Sequence, residues 1–371
     1  MSQSSRYRPR ILIGRGAMGE VWLGTLEGPE GFRRAVVMKR ARADQPEGRQ
    51  ALIDEAHVAS VVSHPNVVHV HELVKTQDGL VLAMEYLTGL SVRALLHRLS
   101  LDDVRMPSAI AARIAADAAR GLHAAHIAAD LSGAPVAIVH RDVSPENLVT
   151  TEAGITKVLD FGIARSRLRA ATVVPTVKGK LAYLSPEQAR GEPLDARSDA
   201  FALGSVLHEL LGGVAPFRRE DALATVDAIV SAVVPPLPSE VPAALVSVVQ
   251  RLLARRRDDR PRDLSEAADE LEAIAGREGR HRDVTLFLRA EASDALRLGH
   301  ERLRALASPD TEPVDPVVTR ITHLHPLAGT MASLDPDSAG WDDDEVTSVD
   351  EITSAFAQAR SRTVDRGQET A

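Results

Sequence analysis

The chain of 371 residues contains no cysteine. This absence excludes disulfide bonds, thiolate metal sites and cysteine nucleophiles. A run of about 18 consecutive apolar residues is also missing, so the sequence predicts no membrane span. The N-terminal segment lacks the pattern of a signal peptide, because its apolar stretch is short and rich in glycine. Together these absences predict a cytoplasmic protein.

Basic residues are missing from residues 335–351, which hold eight acidic side chains. The net charge of the chain is −8, so this acidic segment accounts for all of it. The balanced remainder argues against general binding to nucleic acids or acidic lipids. Residues 308–371 are rich in proline, threonine, serine and aspartate, with few periodic apolar positions. This composition predicts a disordered acidic tail.

The periodicity of apolar residues predicts an α+β fold in which a strand-rich part precedes a helix-rich part. After a short extension at residues 1–9, residues 10–87 read as strands with one helix, and residues 88–275 read mainly as helices. Two short strands, AIVH and ITKVLD, are expected on either side of the segment HRDVSPEN. Residues 282–307 form a single predicted amphipathic helix that would pack on the helical part.

A glycine-rich segment, GRGAMGEV, carries Gly14, Gly16, Gly19 and Val21. Glycines at this spacing let the backbone approach phosphate oxygens without a Cβ in the way. A dinucleotide-binding fold also uses this spacing, but there the glycines lie between a strand and a helix. Here WLG continues as a strand, which favours a β-hairpin that covers a nucleotide.

After the glycine-rich segment, a lysine on a predicted strand is followed by a glutamate on a predicted helix. Lys39 lies in the strand VVMK, and Glu55 lies sixteen residues later in the predicted helix. Taken singly, each is more often a solvated surface charge. The segments HRDVSPEN (140–147), DFG (160–162) and SPE (185–187) then follow in sequence.

With this ordered series of motifs, residues 10–275 resemble the bacterial eukaryotic-like (Hanks-type) Ser/Thr protein kinases. The resemblance implies a bilobal fold with an N-lobe at 10–87 and a C-lobe at 88–275. It also implies ATP and Mg²⁺ as cofactors, protein hydroxyls as substrates and a role in signal transduction. Lys39 and Glu55 would form the ion pair that orients the α- and β-phosphates.

The resemblance assigns roles to further residues, each carried over from its own motif. Asp142 would accept the proton of the substrate hydroxyl, and Asn147 and Asp160 would bind Mg²⁺. Met84 would be the gatekeeper, while Glu85 and Leu87 would offer hinge backbone to adenine.

Other matched positions imply structural roles. Asp199 would brace the catalytic loop, and Glu187 and Arg260 would form a buried pair. His140, Phe161 and Ala59 would stack between the lobes.

Arg141 precedes the catalytic aspartate, and a buried arginine there would require a negatively charged partner. We expect autophosphorylated Thr172 or Thr176 to supply it.

The chain departs from the family at both ends of one contact. Ser144 stands where the family has a lysine that touches the transferred phosphate, and Lys180 stands where the family has the threonine that holds this lysine. Three interpretations remain open: an inactive kinase, a slow enzyme, or an exchange in which Lys180 brings the missing ammonium towards Asp142. The intact set of other motif residues favours the exchange.

Three alternatives to a Ser/Thr kinase would differ from it in activity or in sequence. A pseudokinase scaffold would transfer no phosphate. A small-molecule phosphotransferase would lack the long segment 160–187, and a tyrosine kinase would differ in the loop that here reads SPEN.

In the tail, phosphorylated Thr347 could bind a phosphothreonine-reading FHA domain. A merely solubilising tail is the simpler interpretation.

Overall fold

In the computed structural model, the described residues are 6–16, 19–41, 46–76, 79–161 and 178–307. The tail and the two threonines predicted to be phosphorylated, Thr172 and Thr176 of the activation segment (residues 160–187), lie outside these residues. No helix within the described ranges is long and apolar enough to cross a membrane.

The N-lobe is an antiparallel sheet with the strand order β1-β2-β3-β5-β4. Its strands are β1 (Tyr7–Gly16), β2 (Gly19–Glu27), β3 (Arg33–Ala41), β4 (Val70–Thr76) and β5 (Gly79–Glu85), and helix α1 (Pro46–Val61) follows β3. Val21 and Leu23 alternate with more exposed residues along β2, as expected for a strand with one face on the core. The predicted order of strands and helix in this lobe is confirmed.

The C-lobe is built from helices around one large apolar core. Its helices are α2 (Val92–Leu101), α3 (Ser108–His126), α4 (Pro186–Arg190), α5 (Ala196–Gly212), α6 (Ala222–Ser231), α7 (Ala243–Leu252) and α8 (Leu264–Ala275). Helix α5 is buried along most of its length and begins at the N-cap Asp195, whose carboxylate accepts from Arg197 N. The α+β, two-lobed prediction is therefore confirmed.

A small sheet supports the catalytic segment and corrects one prediction. Its strands are β6 (Gly89–Ser91), β7 (Leu148–Thr151) and β8 (Thr156–Val158). The segment AIVH at 137–140 is not a strand, because the backbone amide of His140 donates to the Asp199 carboxylate at 2.8 Å rather than to a neighbouring strand.

The segment predicted as one helix at 282–307 is two helices, α9 (His281–Glu291) and α10 (Ser293–Ala307). The break falls at Ala292, whose φ of −137° is not helical. Val284, Leu288 and Leu296 join the C-lobe core, while Leu306 belongs to the apolar cluster of the N-lobe. The two helices therefore contact both lobes.

Candidate active site

Lys39 lies at the centre of a buried cluster of three charges between the lobes. Strand β3 carries Lys39, and helix α1 brings Glu55 Oε1 to 2.9 Å from Lys39 Nζ. Asp160, just after β8, also accepts a hydrogen bond from Lys39 Nζ. Only 5% of the Lys39 side chain is exposed, so water hardly screens these interactions.

Burial and neighbouring charges set the pKa values of this cluster. Burial alone would lower the pKa of Lys39, but Asp160 and Glu55 outweigh it and raise this pKa to about 12. Burial and the Asp160 charge raise the pKa of Glu55 to about 7, against the pull of Lys39. Burial opposes ionisation of Asp160, but Lys39 holds its pKa below the ordinary value. Lys39 and Asp160 are therefore charged at neutral pH, while Glu55 is close to its midpoint.

The catalytic loop is held by backbone hydrogen bonds to a buried carboxylate. Asp199 on α5 accepts from His140 N and Arg141 N, each at 2.8 Å. Arg141 has a φ of +67°, a left-handed conformation that is costly for a residue with a side chain. Asn147 Nδ2 donates to Asp142 O at 2.6 Å and to Asp142 Oδ2 at 2.9 Å. Asp142 and Asn147 therefore form one rigid unit.

Lys180 reaches this unit from the end of the activation segment. The 3₁₀ segment Lys178–Tyr183 carries it, and its Nζ lies 3.1 Å from Asp142 Oδ2 and 3.4 Å from Asn147 Oδ1. Only 3% of the Lys180 side chain is exposed. Ser144 is buried as well, and its Oγ has no hydrogen-bond partner within the described part of the chain. The ammonium beside Asp142 therefore comes from Lys180.

A network that sequence reasoning missed lies beneath the loop. Arg93 on α2 donates to Glu146 Oε1 at 2.7 Å and to Glu209 Oε1 at 2.8 Å. It also donates to the hydroxyl of Tyr183, which in turn donates to Glu209. Burial would raise the pKa of Glu146, but Arg93 and then Lys180 lower it. The network joins the catalytic loop to the segment that carries Lys180.

The end of the activation segment is fixed by a buried ion pair. Arg260 Nη1 lies 2.7 Å from Glu187 Oε1, with 0% and 3% of the two side chains exposed. Ser198 Oγ also donates to Glu187. Gln188, another residue missed from the sequence, donates from Nε2 to Arg141 O at 2.9 Å. The pair of Glu187 and Arg260 that the family resemblance implied is present.

The predicted stack between the lobes is found in part. The rings of His140 and Phe161 lie 4.8 Å apart between their centroids. Ala59, predicted as the third member, lies half-buried on α1. The aromatic part of the stack therefore depends on two residues from the motifs HRD and DFG.

Several predicted nucleotide-binding positions lie near one another in the N-lobe and the hinge. Met84 and Leu87 are buried at the end of β5 and in the hinge, in one apolar cluster with Val21. Gly14 and Gly16 on β1 pair with Val21 and Gly19 on β2. A Cβ on Gly19 would lie 2.2 Å from the carbonyl oxygen of Arg40, so strand packing alone requires glycine there.

The donor atoms at the cleft fit a magnesium ion. Asp160 Oδ2 is buried without a hydrogen-bond partner among the described residues, and Asn147 Oδ1 lies beside Asp142 and Lys180. Carboxylate and amide oxygens are hard ligands of the kind Mg²⁺ prefers. The described residues contain no group of three or more His, Cys, Asp and Glu that could hold a metal. An ion here would complete its shell with phosphate oxygens and water.

Comparisons with known proteins give the same family. Residues 7–270 match the family described as protein kinase domain. The chain is 38% identical over 278 residues to the tyrosine-protein kinase MasK of Myxococcus xanthus, covering 72% of this chain and 43% of that protein. It is 37% identical over 223 residues to the serine/threonine-protein kinase PknB of Mycobacterium leprae, covering 58% of this chain and 33% of that protein. It is 32% identical over 283 residues to PknA of Mycobacterium tuberculosis, covering 74% of this chain and 62% of that protein. The chain thus spans less than two thirds of each of these relatives.

Proposed function

The chain belongs to the protein kinase family, and we propose that it transfers the γ-phosphate of ATP to serine and threonine hydroxyls of proteins. The observation that carries this proposal is the placement of two groups side by side: Lys39 with Glu55 and Asp160, and Asp142 with Asn147. A backbone hydrogen bond of 2.9 Å from Leu159 N to Asn147 O connects the two groups. The names of the PknA and PknB relatives agree with a serine/threonine kinase. We assign residues 10–275 to the catalytic domain.

Nucleotide binding is assigned to the cleft between the lobes. The glycine hairpin at Gly14, Gly16 and Gly19 covers the phosphates, and Lys39 binds the α- and β-phosphates while Glu55 orients it. The backbone of Glu85 and Leu87 receives adenine, with Met84 behind it. Asp160 and Asn147 would hold Mg²⁺, which would neutralise charge on the phosphates.

The chemical step uses Asp142 and Lys180. The substrate hydroxyl oxygen bonds to the γ-phosphorus, its proton passes to Asp142, and the bond from phosphorus to the departing ADP oxygen breaks. Lys180 stabilises the negative charge that spreads over the transferred group, which is the role of the family lysine that Ser144 replaces. The distance of 3.1 Å between Lys180 Nζ and Asp142 Oδ2 supports this exchange.

The test of the main proposal is phosphate transfer by the purified chain to itself and to a generic protein substrate in Mg·ATP. The Asp142→Asn variant is the control, because a contaminating kinase would label it as strongly as the wild type. Labelling of the wild type alone supports the proposal. Equal labelling of both proteins, or of neither, supports the alternative of a pseudokinase scaffold.

Tyrosine specificity is a second candidate, which one observation favours: a relative that is 38% identical is named a tyrosine-protein kinase. The residue that would help to separate the two specificities is Ser144, where the family lysine is missing. Acid hydrolysis of the labelled substrate separates the outcomes. Phosphoserine and phosphothreonine support the main proposal, and phosphotyrosine alone overturns it.

Regulation by autophosphorylation is assigned to Thr172 or Thr176. Arg141 Nε is buried without a hydrogen-bond partner among the described residues. Its N–H is therefore available to donate to a phosphate oxygen. Mass spectrometry after incubation with Mg·ATP should find at least one of these threonines modified. Unmodified threonines in an active enzyme would contradict the assignment.

Recruitment of a partner is assigned to the acidic tail. Thr347 has Asp350 three residues on, in acidic surroundings, and phosphorylation would let it bind an FHA domain. A pull-down with the phosphorylated chain and its Thr347→Ala variant tests this binding. Equal capture of both proteins would leave the tail a solubilising role only.

A further inference from the structure

Helix α10 (Ser293–Ala307) lies outside the residues that match the protein kinase family, which end at 270. It nevertheless contacts the hinge and both lobes. Leu296 is part of the C-lobe core, and Leu306 belongs to the N-lobe cluster that also contains Met84 and Leu87. The helix therefore spans the boundary across which a two-lobed enzyme opens and closes.

The hinge contact is made by Tyr86. This residue stands between Glu85 and Leu87, whose backbone is assigned to adenine, and its hydroxyl donates to Gly299 O at 3.3 Å. Burial raises the pKa of Tyr86, so the hydroxyl keeps its proton at neutral pH. A Cβ built on Gly299 would lie 3.6 Å from Thr88 Cγ2, so the helix backbone runs directly over the hinge.

Polar contacts join the middle and the C-terminal end of the helix to different lobes. On the C-lobe side, His300 Nε2 lies 2.9 Å from Glu152 Oε2. On the N-lobe side, Arg33 Nη2 donates to Leu306 O at 3.5 Å. Leu303 packs beside Leu306 against the N-lobe cluster. Movement of one lobe against the other would break one of these sets of contacts.

We propose that α10 is a strap that holds the hinge in the geometry that binds adenine, with Tyr86 and Leu306 as its positioning residues. The proposal rests on the assignment of this cleft to ATP. A hinge that is already ordered loses less conformational freedom when a nucleotide binds, so the strap raises nucleotide affinity. It leaves the chemical step to Asp142 and Lys180.

The first experiment detaches only the N-lobe end of the strap. Leu306→Asp puts a charge into the apolar cluster, and Leu286→Asp is the matched control because Leu286 is 57% exposed on α9. Calorimetric titration with Mg·ADP should give a Kd that is about tenfold higher for Leu306→Asp, and a wild-type Kd for the control. The turnover number at saturating ATP should stay within about twofold of the wild type.

The outcomes separate the strap from the function on which it rests. If the wild type binds Mg·ADP and Leu306→Asp binds it equally well, the strap is overturned and the kinase proposal stands. If the wild type itself binds no nucleotide, both proposals are overturned. A fall in turnover with unchanged nucleotide affinity also overturns the strap, because the helix would then act on the chemistry.

A reversible disulfide between the helix and the hinge tests the same idea from the hinge side. The chain has no cysteine, so the pair Thr88→Cys and Gly299→Cys would form the only disulfide. An ideal Cβ on Gly299 would lie 3.6 Å from Thr88 Cγ2, so a γ atom at position 88 already comes close to the new side chain. Introduced together with Leu306→Asp, the oxidised pair should restore most of the lost affinity, and a reducing agent should remove it again. Equal affinity in both redox states would contradict the proposal.

Discussion

The ammonium of Lys180 lies 3.1 Å from the carboxylate of Asp142, although the two residues belong to different segments of the chain. Ser144, two residues after Asp142, is small and buried. Its carbonyl oxygen accepts a hydrogen bond from Asn147 N at 3.0 Å, and Asn147 Oδ1 lies 3.4 Å from Lys180 Nζ, so Ser144 and Lys180 both contact Asn147. The two departures from the family pattern are therefore spatially compatible as an exchange of one charge between two backbones.

Removal of this charge should slow the chemical step. We expect Lys180→Ala to lower kcat at least tenfold and up to about 10²–10³-fold, the range found when one preorganised charge stabiliser is lost. The KM for ATP should change little, because Lys39 and the hinge still bind the nucleotide. Steady-state kinetics with a protein substrate measures both constants. Lys75→Ala, on an exposed part of β4, is the matched control.

The reversed exchange is the sharper variant. Ser144→Lys combined with Lys180→Thr restores the family arrangement, and it should keep kcat within about tenfold of the wild type. Each single variant should be slower than the double variant. Ser144→Lys alone puts two ammonium groups at this site, and Lys180→Thr alone leaves none. Turnover by Lys180→Ala equal to that of the wild type would remove Lys180 from the mechanism.

The sequence could predict this contact because both of its partners depart from a pattern that is otherwise intact. It could not predict the network of Arg93, since an arginine on an amphipathic helix usually reaches solvent, and its partner Glu209 is 116 residues away. Gln188 was missed because its partner, the backbone carbonyl of Arg141, is distant in sequence. The break at Ala292 was missed because the apolar periodicity continues through it.

Glu55 should be a source of instability at neutral pH. Its pKa is raised from 4.5 to about 7 in the folded state, so the folded protein binds the proton more tightly than the unfolded chain. Its contribution therefore favours the folded state at low pH and is lost as pH rises from about 4.5 to about 7. The variant Glu55→Gln mimics the protonated carboxyl, so its stability relative to the wild type should increase across this window.

Thermal unfolding of wild type and Glu55→Gln at pH 5 and pH 8 measures this effect. We expect the Tm of the variant to exceed that of the wild type by more at pH 8, with a difference of about 1–3 kcal/mol in the free energy of unfolding. Its nucleotide affinity should fall at pH 8, where Lys39 loses a charged partner, and change less at pH 5, where the carboxyl of Glu55 is already largely protonated. A Tm difference independent of pH would mean that Glu55 is ionised throughout.

The pair of Glu187 and Arg260 should be costly to break from one side. Arg260→Met leaves the Glu187 carboxylate buried without its cation, which should lower the free energy of unfolding by about 3–5 kcal/mol. Burial would raise the pKa of Glu187, but Arg260 holds it below the ordinary value, so this stability is present above the unfolded pKa and is lost in acid. Denaturant unfolding near pH 7 measures the loss.

The double variant Glu187→Met with Arg260→Met removes both charges and serves as the control. It should be more stable than Arg260→Met, because no unpaired charge remains in the core. A double variant that is as unstable as the sum of both single variants would show that the packing of the two side chains, and not their charges, fixes the end of the activation segment.

Arg141 should determine whether phosphorylation increases activity. Its backbone is fixed by Asp199 and by Gln188, and its Nε is buried without a hydrogen-bond partner in the described part of the chain. A phosphate on Thr172 or Thr176 would satisfy this guanidinium and order the segment that carries Lys180.

Incubation with Mg·ATP should therefore raise the initial rate of the wild type severalfold. The variant Arg141→Gln should start from a similar basal rate and gain nothing, although mass spectrometry still finds it phosphorylated. A matching gain in this variant would show that another cation reads the phosphate, and a gain in Thr172→Ala/Thr176→Ala would move the site elsewhere.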